Sequence, residues 1–127
     1  MNAAAFVLLA SALSAQGPIT NRMPPTTMRG TIVEVTCFRQ QGAATVSAPE
    51  QVACAKRRVA EDGRLGILTE GDGLFQLTGA FSANRYARLA PFIGQRVDVS
   101  GAEVVISNSY DYKSFEVEKV SRVKSEK

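Results

Sequence analysis

Residues 65–78 read Leu-Gly-Ile-Leu-Thr-Glu-Gly-Asp-Gly-Leu-Phe-Gln-Leu-Thr. Two short apolar runs, 65–70 and 74–78, flank Gly71-Asp72-Gly73. Gly and Asp tolerate the positive φ of a tight turn, so the stretch predicts a β-hairpin. A sequence that turns back on itself here is building a sheet from short antiparallel strands.

The flanking segments extend that sheet. Residues 30–38, Gly-Thr-Ile-Val-Glu-Val-Thr-Cys-Phe, are rich in β-branched side chains and predict a first strand. Alternation places Val33, Val35 and Cys37 on one face and Ile32, Glu34, Thr36 and Phe38 on the other. Gly94 opens a fourth strand over 95–102, with Val97 and Val99 inward. Residues 104–106 continue as extended chain, and 108–113 are a polar loop with two tyrosines. Residues 114–120 make a last strand, with Phe115 and Val117 sharing a face.

Helical signals interrupt the strands twice. Residues 39–47 are a loop of Gln, Gly, Ala, Thr and Ser. Ser47, Pro49 and Glu50 then carry the spacing of a capping box with a proline in the first turn. Val52, Ala55 and Val59 form a narrow apolar stripe, and Asp62-Gly63 ends the helix, with Gly63 as its left-handed cap. A second, short helix is expected over 82–90, with Tyr86, Leu89 and Ala90 inward, stopped by Pro91.

The order is strand, helix, hairpin, short helix, strand, strand. It predicts a mainly β chain: a small five-stranded Greek-key barrel with one inserted helix and one short helix. The oligonucleotide/oligosaccharide-binding (OB) arrangement fits this order. Its helix normally follows the third strand, where 82–90 lies, so the helix at 47–62 is an insertion after strand one.

The chain has 127 residues, enough for one domain. Its hydrophobic content is 45% and its charged content 21%, which excludes general disorder. The net charge of +3 is mildly basic, short of a dedicated nucleic-acid protein. There is no His, which removes the commonest general base and the commonest metal ligand. Serines without His partners exclude the usual triad, and neither Glu61/Asp62 nor Glu116/Glu118 sits in an apolar setting. The expectation is a non-enzyme with no cofactor and no metal.

The first residues read as an address. Residues 3–13 form an apolar run too short to span a bilayer. Small Ser14 and Ala15 follow, then Gln16 and Gly17-Pro18. This order predicts a signal peptide over 1–15, cut after Ala15, although no Lys or Arg precedes Arg22. Residues 16–29, with Pro18, Pro24 and Pro25, read as a linker. The OB-like domain is expected over 30–123, with 124–127 a solvated tail. Localisation is then periplasmic or secreted, with no membrane span once the signal is removed.

Gly30-Thr-Ile-Val-Glu-Val-Thr-Cys37, Ala53-Cys54-Ala55-Lys56, Leu65-Gly66-Ile67-Leu68-Thr69 and residues 89–101 together resemble small exported bacterial OB-like proteins, mostly uncharacterised. The likeness covers residues 30–120. It implies the fold and export. In that pattern the helix often carries a His three positions before the Cys matching Cys54, and a Cys four positions after it. Here those positions are Gln51 and Arg58, so no metal or haem ligand set is carried over.

Three groups of residues are candidates for chemistry. Cys37 and Cys54 are an even pair, which in an exported protein suggests a disulfide pinning the inserted helix to the barrel. The alternative is a thiolate metal or redox pair, without Cys-x-x-Cys spacing or a third ligand. Lys56, Arg57, Arg58 and Arg64 form a basic cluster that suits an anionic polymer or single-stranded nucleic acid, or else a solvated helix face. Export argues against a nucleic-acid partner. Tyr110 and Tyr112, with Phe75, are the candidate ligand face, since aromatic loops of such barrels can stack on bases or sugars. The expected role is an exported binding or structural module whose partner is an unknown ligand or protein.

Overall fold

The structure is a computed structural model that describes residues 20–106 and 113–123. It is mainly β. Six strands form one sheet: β1 (Thr20–Arg22), β2 (Thr26–Glu34), β3 (Leu65–Thr69), β4 (Gly73–Thr78), β5 (Arg96–Ile106) and β6 (Lys113–Arg122). Two helices, α1 (Val35–Gln41) and α2 (Pro49–Val59), lie between β2 and β3. A single turn, α3 (Ala83–Tyr86), lies between β4 and β5. The strand order is β1-β5-β2-β3-β4-β6, and β5 also pairs with β6. All pairings are antiparallel except β4 with β6.

The hairpin forms where its glycines place it. Leu68 pairs with Leu74, Thr69 pairs with Gly73, and Gly71 and Gly73 take φ of 94° and 81°. Leu65, Ile67, Phe75 and Leu77 turn inward, meeting Ile32, Val97, Val99, Phe115 and Val117 in one core. Ala55 and Val59 of α2 belong to that core and Val52 packs against it, as the stripe predicts.

Four expectations are corrected. Strand one does not run over 30–38; it ends at Glu34, and Cys37 sits in α1. The reason is Glu34 itself, whose Oε1 accepts from the backbone N–H groups of Thr36 and Cys37, both at 3.0 Å. A side-chain cap of this kind overrides the β preference of Val35 and Thr36. Second, pairing begins inside the expected linker: β1 and the first residues of β2 lie on either side of Pro24-Pro25 and both join β5. The prolines turn the chain between strands, giving six strands where five were expected.

Third, Ser47 does not cap α2. Its Oγ donates to the Gly94 carbonyl at 2.8 Å, and Ala48 stands at the N-cap. The left-handed residue after α2 is Asp62, with φ 67°, rather than Gly63. Gly63 is instead pressed on the helix end, where a Cβ would fall 2.6 Å from the Arg58 carbonyl. Fourth, 82–90 is no continuous helix. It divides into 3-10 turns at Ala80–Ser82 and Ala90–Phe92 with α3 between them. Asn84, Arg85 and Tyr86 all have positive φ, so the chain reverses there instead of winding on. Tyr86 and Leu89 are still buried, as the pattern requires.

Candidate functional site

The cysteines form a disulfide, with Cα atoms 6.1 Å apart. Because Cys37 is helical, the bond joins α1 to α2 rather than a strand to a helix. It makes the whole insertion one cross-linked unit. Among the described residues no group of three or more His, Cys, Asp or Glu side chains is placed to hold a metal.

Beneath that unit lies Glu34, only 1% exposed. Both of its oxygens are engaged. Oε1 caps α1 and lies 3.1 Å from Arg58 Nε, an ion pair without hydrogen-bond alignment. Oε2 accepts from the Arg64 backbone N–H at 3.1 Å. Arg58 therefore compensates a buried carboxylate, as isolated buried charge would be costly. Gln51, the other departure from the resembled pattern, is also buried; its Nε2 donates to Gly42 O and to Thr45 Oγ1. Both positions serve the insertion's own architecture.

The basic cluster is split by the fold. Lys56 and Arg57 are exposed on the outer side of α2. Arg58 and Arg64 instead line a cavity of about 170 Å³ with Arg39, Glu34 and Asp62. Arg64 also lines a neighbouring cavity of about 300 Å³ with Gln76, Arg85 and Tyr86. Arg39 and Arg85 are absent from the expected cluster. They lie far from it in sequence or on a turn whose left-handed course is set by packing. Tyr86 donates its hydroxyl to the Leu77 carbonyl at 2.9 Å, and burial pushes its pKa up.

A larger groove lies elsewhere, with a volume of about 550 Å³. It runs between the β3–β4 turn and the beginnings of β2 and β6. Thr26, Thr27, Met28 and Arg29 all line it. Successive strand residues point to opposite faces, so four in a row can meet one groove only along the strand's edge. Charges around it are largely paired. Arg29 donates to Asp98 at 2.8 Å, holding the Asp98 carboxyl below its usual pKa, and Arg96 donates to Glu70 at 3.2 Å. Lys113 Nζ donates to the Asp72 carbonyl at 2.7 Å and lies 5.3 Å from the Phe75 ring centroid.

Phe75 borders this groove but does not offer a stacking platform. It is 5% exposed and belongs to the core. Its spacing of two from Leu77 was the signal for an inward face. Tyr110 and Tyr112 lie outside the described residues, as do 1–15 and the tail. No helix among the described residues is long and apolar enough to cross a membrane. No family model, curated protein or solved structure matches the chain.

Proposed function

We propose that the chain is an exported, non-catalytic binding module on an OB-like Greek-key barrel, which takes an extended peptide segment in the groove beside β2. The barrel reading is supported by the pairing circuit β2–β3–β4–β6–β5–β2, with β4 and β6 parallel. A circuit of five strands leaves each with two neighbours, which is how a small barrel removes its edges. Export is supported by the disulfide, which persists in oxidising compartments. A non-catalytic role is supported by the absence of His from the sequence.

The observation that carries the binding reading is the exposed edge. β2 pairs with β5 along Thr26–Thr31 but with β3 only from Gly30 onward. Among the described residues, Thr26–Met28 therefore have no strand on their second edge. Backbone groups displayed along a groove are what strand addition uses, with side-chain pockets supplying selectivity. The hydroxyls and paired charges of this groove suit a polar segment.

The test uses linear peptides selected by display against the full chain. The expected result is slowed amide exchange at Thr26–Met28 on binding, and weaker binding by Lys113→Glu. Peptides that bind while leaving those amides unchanged, or a failure to select any, would overturn the reading.

A further inference from the structure

The two cavities below α2 share Asp62, Gly63 and Arg64. Sharing these walls, they adjoin as a furrow that has no lining residue in common with the β2 groove. Arg39 and Arg58 stand along its first part, Arg85 along its second, and Arg64 along both. Among the described residues, two carboxylates line the furrow with these arginines. Glu34 is buried and has its oxygens taken by three backbone N–H groups and by Arg58. Asp62 is 91% exposed and lies 4.0 Å from Arg85, a loose surface pair. Among the described lining residues, guanidinium groups other than Arg39 still outnumber the carboxylates.

Arg64 is the centre of that excess. Its guanidinium has no hydrogen-bond or ion-pair partner among the described residues; its backbone N–H donates to Glu34 and its carbonyl accepts from Val35 N–H. Arg85 is held in place by a different device. It lies in the left-handed run Asn84–Tyr86, and its Nη1 donates to the Ala60 carbonyl at 2.9 Å. L-residues avoid this conformation, and it persists where the surroundings over-determine it. Here it sets Arg85 on the rim opposite the end of α2.

Guanidinium forks match tetrahedral oxyanions with two donors at once. Several along one furrow suit repeated oxyanions rather than a single ion. Among the described lining residues the only aromatic side chain, Tyr86, is buried and has its hydroxyl committed to Leu77. Bases would find no open ring to stack on among these residues, so recognition falls on the phosphates. We propose that this furrow binds a linear phosphate-bearing polymer through Arg58, Arg64 and Arg85, without base contacts.

The experiment titrates the full chain with linear inorganic polyphosphate, with thymidine oligonucleotides and phosphatidylglycerol vesicles as competitors. Affinity should fall steeply between about 50 and 200 mM salt. Arg64→Glu should weaken binding at least tenfold, and Arg85→Glu comparably. Arg64→Lys should keep part of the affinity. Lys56→Glu makes the same change of charge off the furrow and should leave affinity within twofold. Arg64 and Lys56 are exposed and make no side-chain hydrogen bond to the described residues, so neither variant threatens the fold. Equal losses for Lys56→Glu and Arg64→Glu would overturn the proposal, as would absence of saturable binding. An oligonucleotide or vesicle that binds more tightly than polyphosphate and ignores Arg64→Glu would overturn it as well.

Discussion

Two arginine–carboxylate pairs in this chain use the same chemistry to opposite effect. Glu34 and Arg58 meet under the cross-linked helices, with the carboxylate 1% exposed. Asp98 and Arg29 meet on the outer surface of β2 and β5, with Asp98 28% exposed and bonded by two guanidinium nitrogens at 2.8 and 3.2 Å. By geometry alone the surface pair is the better one. Yet the buried carboxylate organises three chain segments: it caps α1, holds the backbone of Arg64 and faces α2. The surface pair joins only two neighbouring strands that the sheet already pairs. Burial and the number of donors served, rather than bond length, decide what such a pair is worth.

The strongest break of this contrast is Glu34→Ala. It removes the cap of α1 and leaves three backbone N–H groups and Arg58 without their acceptor, at a cost of about 3 to 5 kcal/mol. Chemical denaturation of the variant should show that loss, and a change below about 1 kcal/mol would reduce the buried pair to the rank of the surface one. Next comes the disulfide over the same region. Replacing Cys37 and Cys54 by Ser releases a cross-link between residues 17 apart in sequence and should cost roughly 3 kcal/mol by the chain-entropy estimate. A thermal melt with and without reductant gives the same comparison in the unaltered chain. If the loss is confined to α1 and α2 by hydrogen exchange, the insertion is a separable unit; if the sheet loosens equally, it is not.

Tyr86→Phe lies between the extremes. It removes the bond to the Leu77 carbonyl and should cost about 1 kcal/mol. It also abolishes an alkaline dependence. Burial raises the folded-state pKa of Tyr86, so its contribution is intact below about pH 10 and is lost as pH climbs through the raised value. The Phe variant should show a flatter stability profile there.

The smallest effect belongs to Arg29→Ala, which should cost no more than about 1 kcal/mol. Its signature is in acid. The Asp98 carboxyl is held low mainly by its hydrogen bond from Arg29, so its contribution is present above the ordinary carboxyl value near pH 3.9. It is lost as pH falls through the depressed folded value. Urea midpoints of the parent should drop in this window, and those of Arg29→Ala should drop less. Identical acid profiles would remove the surface pair from the account.

Legibility from sequence follows the range of the forces involved. The hairpin is readable because alternation and turn glycines act over a few residues, and β3 and β4 lie within a residue of where the pattern puts them. The apolar stripe of α2 is readable for the same reason. The boundary at Glu34 is not. Val-Glu-Val-Thr has the composition of a strand, and only a cap formed in the folded chain, with Arg58 and the Arg64 backbone converging on it, turns Val35 into a helix start. The basic cluster was half legible: Arg58 and Arg64 share a cavity, while Lys56 and Arg57, adjacent in sequence, face away. Adjacent residues on a helix diverge by about 100°, so sequence proximity does not make a site.

By itself the sequence determined a mainly β chain, its central hairpin, its apolar helix face and the pairing partners of two cysteines. Each of these rests on local periodicity, local turn chemistry or simple arithmetic. Tertiary structure alone decided where strand one stops, that the disulfide ties helix to helix, and that Phe75 is core rather than ligand surface. It also decided which arginines line the same cavities and which edge of β2 has no strand beside it among the described residues. Those depend on contacts between residues tens of positions apart, whose energies exist only once the chain has closed on itself.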